Sequence, residues 1–137
     1  MAYASATSGT APWVRKVSAI PDYLAMAGGF YSSAPDMLRL MEGVLGGDRI
    51  LTPASRATLM RVHRPAQRYA LGGRTQVETI ADKEREAAWE DGSNGGFRLV
   101  ARRVLDDGVG VVVFNNGSYD HRRLGELASA VMEAVYA

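Results

Sequence analysis

The chain has 137 residues, enough for one domain with its own core and few for two. Apolar residues make up 47% and charged residues 23%, which excludes a disordered chain, and a net charge of +1 spread over scattered cations, only Lys16 and Lys83 of them lysines, excludes a nucleic-acid-binding stripe. The absence of cysteine removes disulfides, thiolate catalysis and most zinc sites, and leaves the redox compartment open.

Residues 1–23 are small and polar around Trp13 and predict an irregular arm. They have neither the apolar core nor the preceding cationic run of a signal peptide. No apolar run anywhere reaches membrane-spanning length. A domain is expected over 24–137. Its first element is a helix over 34–45: Ser33 and Asp36 have capping-box spacing, Pro35 sits in the first turn, and Met37, Leu38, Leu40, Met41, Val44 and Leu45 recur at helical spacing before Gly46-Gly47. A second helix is expected over 53–62, with Thr52 as cap, Pro53 at the first position, and Leu59, Met60 and Val62 on its apolar face.

Strands are expected over 69–79, broken at Gly72-Gly73, and over 85–91, 96–105 and 109–115, with residues 80–86 as a charged, solvated connection. Asp106-Asp107-Gly108 is a hairpin signal, and the run from Gly108 to Phe114, "GVGVVVF", has the continuous apolar character of a strand buried on both faces. Leu124, Leu127, Ala128, Val131, Met132 and Val135 predict a helix over 121–136. The order of elements gives an α+β fold, an antiparallel sheet flanked by helices.

The stretch "WEDGSNGGF" carries most of the functional information. Taken alone it reads as a glycine-rich hairpin with solvated acids. A phosphate cradle is disfavoured because the glycines lead into a strand, not a helix N-terminus. Glu90 and Asp91 are a poor catalytic pair, since neighbours on a strand point to opposite faces. His63 and His121 lack metal-ligand spacing and read as surface or helix-end residues, with no metal or cofactor expected. Trp89, Phe97 and Met37, Met41, Met60 and Met132 read as packing residues.

In order and spacing, "AGGFYSSAPDMLRLM", "LTPASRATLM", "YALGG", "WEDGSNGGF" and "GVGVVVFNNGS", followed by an amphipathic helix, resemble the C-terminal part of the penicillin-recognising serine hydrolases. The branch is that of class C β-lactamases, D-alanyl-D-alanine carboxypeptidases and related esterases, and the resemblance runs from about residue 24 to the end. It implies the C-terminal part of a β-lactamase-like (transpeptidase) fold. It also implies amide or ester hydrolysis through an acyl-serine, by an S-x-x-K nucleophile helix, a Y-x-N motif, and a K-T-G or H-x-G strand that offers a backbone N–H to the oxyanion. These 137 residues contain no S-x-x-K and no Y-x-N. By resemblance Glu90-Asp91-Gly92 takes the K-T-G or H-x-G place, and Ser93 follows it with the oxyanion-hole N–H.

Glu90 stands where the family has Lys or His, so a carboxylate there would repel an acidic substrate terminus and the oxyanion. That disfavours β-lactams and peptides with a C-terminal carboxylate as substrates, or points to lost activity. With S-x-x-K and Y-x-N missing, the resemblance implies a chain inactive alone, whose partner is a companion N-terminal polypeptide or a second copy joined through unpaired strand edges, with a small ester or amide as ligand. The alternative is a non-catalytic remnant that binds a ligand or partner. Family members are often extracytoplasmic, but the compartment of this chain is not fixed by its sequence.

Overall fold

The fold, taken from a computed structural model, is described for residues 2–5, 13–16, 20–117 and 120–137, with backbone alone for the first two segments. Where an irregular arm was expected, β1 (Ala2–Ser5) and β2 (Trp13–Lys16) pair antiparallel in a two-stranded sheet, Ala2 opposite Lys16. After a 3₁₀ turn at Asp22–Leu24 comes the single turn α1 (Ala25–Gly28), and then α2 (Ala34–Met41). The Ser33 hydroxyl accepts from the Asp36 N–H at 3.3 Å and caps α2 as its spacing predicts. The helix expected over 34–45 is α only to Met41 and continues as a π turn over Glu42–Gly46. Two contacts accompany the wider turn: Glu42 pairs with Arg103 of the sheet, and buried Gly43 lies where a Cβ would stand 2.6 Å from the Ile50 side chain. Next comes α3 (Pro53–Met60), capped by the Thr52 hydroxyl, which accepts from the Ser55 N–H at 3.2 Å.

A five-stranded antiparallel sheet follows in chain order: β3 (Tyr69–Ala70), β4 (Gly73–Ile80), β5 (Lys83–Asn94), β6 (Phe97–Val104) and β7 (Gly110–Asn115). Two sequence expectations change here. The strand over 69–79 is a tight hairpin, Tyr69 opposite Arg74, whose Leu71 and Gly72 N–H groups both donate to the Leu59 carbonyl at 3.1 Å. The charged connection over 80–86 shrinks to a two-residue turn at Ala81-Asp82, both with positive φ, and Lys83 to Glu86 belong to β5.

The helix α4 (His121–Tyr136) starts at Asp120, whose carboxylate accepts from the Arg122 N–H at 2.7 Å, and lies across one face of the sheet. Leu124, Ala128 and Met132 meet Ile80, Val100, Val104 and Val111 there and form the core. Beside this core Arg102 donates to Ser129 Oγ at 2.5 Å and pairs with Glu78, so its charge is compensated beneath the helix. The opposite face is covered by α2, which crosses β7 with Leu38 packed on Gly110. Among the described residues β7 pairs only with β6, so it is an edge strand, with α4 on one of its faces and α2 on the other. No helix among them is long and apolar enough to cross a membrane.

Candidate functional site

Between the sheet and the segment leading into α2 lies a cleft of about 710 Å³. Its sheet wall is the far end of β5, Gly92-Ser93-Asn94, continued by Phe97 and Leu99 of β6 and Phe114 of β7. The facing wall is Gly28, Phe30, Tyr31 and Met37, and Asn94 Nδ2 ties the walls together by donating to the Gly28 carbonyl at 3.2 Å. Phe30 and Tyr31 stay 76% and 83% exposed, so the outer part of this wall is apolar surface open to solvent. Arg98 also lines the cleft, but its Nη1 donates to the Gly95 and Phe97 carbonyls at 2.8 Å and braces the hairpin.

The glycine-rich stretch divides into two roles. Gly92 is inside β5, paired with Leu99, and a Cβ on it would stand 3.1 Å from Leu99 Cγ; bare backbone there lets Leu99 cross the strand. Gly95, at φ +55, makes the turn into β6.

The hydrogen-bond phase of β5 decides what its edge offers. The Leu105 N–H donates to the Glu86 carbonyl at 2.9 Å. By antiparallel alternation the backbone groups of Glu90, Gly92 and Asn94 also face β6, whereas those of Asp91 and Ser93 face the β4 side. But β4 begins only at Gly73, and its ladder with β5 reaches no further than Arg74 opposite Trp89. The N–H groups of Asp91 and Ser93 therefore point to an open edge. Glu90 Oε1 accepts from the first at 3.2 Å, and no described residue accepts from the second.

The four sequence-predicted residues thus separate. Gly92 and Ser93 line the cleft, while Glu90 and Asp91 do not and instead converge on Arg74. Arg74 Nη1 pairs with Glu90 Oε1 and lies 3.6 Å from Asp91 Oδ1. Its guanidinium sits 4.5 Å from the Tyr69 ring centroid and 4.6 Å from that of Trp89. Burial, and then the Glu90 charge, push the Tyr69 phenol above its ordinary pKa. The contact of one cation with two consecutive strand residues departs from face alternation because Glu90 lies past the last β4–β5 pair and bends around Gly73, within 3.8 Å of where a Cβ would stand.

His121, expected at a surface or helix end, opens α4 and brings Nδ1 to 3.5 Å from Asp91 Oδ2, with its Nε2 buried and unpartnered among the described residues. His63 is exposed. Among the described residues no three His, Cys, Asp or Glu side chains gather as a metal-binding group. Sequence reasoning missed Arg74, Tyr69 and the Phe30-Tyr31 wall; the only local trace of them is the aromatic pair after Gly28-Gly29 and the "GGR" at 72–74.

The family profile described as Beta-lactamase matches residues 1–136. That match takes in the arm that the residue patterns alone had left outside. No curated protein and no solved structure matches the chain. With an α+β architecture and a profile match over nearly its whole length, the chain belongs to the β-lactamase family.

Proposed function

We propose that this chain forms the oxyanion-binding wall of a serine hydrolase that cleaves amide or ester bonds through an acyl-serine, and that the nucleophile and its base come from protein outside these 137 residues. The observation that carries this reading is the Ser93 N–H, directed to an open strand edge beside a cleft of about 710 Å³. A fixed backbone donor at a cleft wall stabilises developing negative charge without reorganising, and losing one such donor typically costs about 10²–10³ in rate. Neither flanking acid lines the cleft, and the Glu90 carboxylate, which would repel an oxyanion, is paired with Arg74.

The test is acylation by a fluorescent penicillin and by a nitrophenyl ester. The chain alone should give no adduct, and mixing with a polypeptide of the same family that carries S-x-x-K and Y-x-N should restore labelling on that partner. A covalent adduct on any serine of the purified chain would refute the assignment of the nucleophile. Complementation by no such partner would favour a non-catalytic binding module.

The same reading gives a partner surface. The Val104 N–H donates to the Val109 carbonyl at 2.9 Å, so alternation turns the backbone groups of Gly110, Val112 and Phe114 outward from β7. No charged residue occurs from 110 to 115 to guard this edge. Self-association of the isolated chain is the expected outcome, measured by light scattering; a concentration-independent monomer counts against it.

A further inference from the structure

On the α2 side of the sheet, away from the cleft described above, a second cavity of about 650 Å³ opens between the π turn and the β6–β7 turn. Three of its lining residues are Arg39, Arg49 and Arg103, against a single acid, Glu42. We infer that this cavity is a binding site for a small phosphorylated molecule, with the arginines holding the phosphate oxygens.

The argument starts from Arg103, which sits in β6 with its side chain only 7% exposed. A guanidinium so deeply placed is costly unless its donors are matched by acceptors. Its Nη2 pairs with Glu42, whereas Nε is buried without a partner and no described residue accepts from Nη1. The backbone is shaped around this group. A Cβ on Gly108 would stand 2.6 Å from Nη2, and one on Gly46 would collide with the same atom. Gly108 holds φ +81 as well. Two turns from different parts of the chain therefore leave a slot that a guanidinium occupies.

The other cations are available. Arg49 meets no hydrogen-bond or ion-pair partner among the described residues. Arg39 pairs with Asp36, but with side chains 76% and 64% exposed that pair is readily exchanged for a ligand oxygen. Planar guanidinium forks match the geometry of a phosphate. Leu38 and Ile50 add an apolar flank, and the volume exceeds that of a bare phosphate, so an organic group carrying the phosphate fits beside it.

The experiment is calorimetric titration of the full chain with phenyl phosphate and with inorganic phosphate, beside benzyl alcohol as the uncharged control. Saturable binding of phenyl phosphate is expected, tighter than that of inorganic phosphate, with no binding of the alcohol. Arg49→Ala, at a residue that supports nothing else in the described structure, should weaken phenyl phosphate about tenfold, the loss of one charge-assisted contact, and Arg49→Lys should recover part of it. Melting of the Arg49→Ala variant in phosphate-free buffer should match the wild type. The inference is overturned if neither phosphate saturates, if benzyl alcohol binds as well as phenyl phosphate, or if Arg49→Ala binds phenyl phosphate like the wild type.

Discussion

Replacing Arg74 with Met tests how the two acids beside the cleft are held. The methionine keeps the hydrophobic stem between Tyr69 and Trp89 and removes the charge. Each of the two ring contacts is worth about 0.5–1 kcal/mol at a partly exposed site. The ion pairs add about 0.2–1 kcal/mol in all, kept small because the Glu90 and Asp91 side chains are 38% and 40% exposed. Arg74→Met should therefore cost about 2 kcal/mol, measured by urea denaturation with an unchanged m-value, and lower Tm by roughly 6–8 °C for a domain of this size. Arg74→Lys retains the charge but loses the planar fork and its stacking, and should fall about midway. The double variant Arg74→Met/Glu90→Gln should be less destabilised than the two single effects combined, since each removes the same pair. Arg74→Met within about 0.5 kcal/mol of wild type, the usual range for a neutral surface change, would refute the clamp. Full stability in Arg74→Lys would show that a point charge suffices and that the rings contribute nothing.

The core and the far end of α4 give two further expectations. Leu124→Ala removes a side chain that is 2% exposed at the centre of the helix–sheet core, and should cost about 2–5 kcal/mol in the same denaturation experiment. Tyr136 donates to Asp107 Oδ1 at 2.6 Å, an arrangement that, after burial, raises the phenol to about 12 and holds the Asp107 carboxyl below its ordinary value. The raised phenol contributes stability that is complete below pH 10 and lost as pH rises towards 12. The depressed carboxyl contributes stability that is present above its ordinary pKa near 3.8 and lost as pH falls below it. Tyr136→Phe should therefore flatten both limbs of a stability–pH curve; unchanged limbs would show that the hydrogen bond is not populated in solution.

What was legible in the sequence was what neighbouring residues decide. Ser33 and Thr52 cap their helices from within the same turn, and the 3.6-residue recurrence of Leu124, Ala128 and Met132 fixes the buried side of α4. The turn at Ala81-Asp82 was not legible, because its positive φ values fall on residues without the glycine or asparagine that usually announces them. Nor was the strand character of Lys83 to Glu86. The Arg85 guanidinium lies 3.8 Å from the Tyr136 ring centroid and pairs with Asp107 at 2.9 Å, partners supplied from distant parts of the chain. The π turn has the same origin, since Glu42 answers to Arg103 on β6. The motif singled out four neighbours, of which Gly92 and Ser93 line the cleft and Glu90 and Asp91 do not; the fate of Glu90 depended on where β4 stops, and that is a matter of register.

Register also sets the electrostatics of the proposed oxyanion position. Along a strand the Asp91 and Ser93 amides lie about 7 Å apart on the same edge. Glu90 Oε1 accepts from the first, so its charge stands about that far from an oxyanion bound at the second. Two like charges at ~7 Å repel by roughly 2 kcal/mol at an effective dielectric of about 20, enough to cost more than tenfold in rate if uncompensated. Arg74, in direct contact with the same carboxylate oxygen, supplies an attraction of comparable size from only slightly different distance. A carboxylate at Glu90 is therefore compatible with the proposed oxyanion wall as long as the neighbouring strand contributes the cation. The "GGR" hairpin accomplishes this by two local means: Gly73, at φ +126, leaves the path along which Glu90 bends, and the next residue is the arginine that receives it.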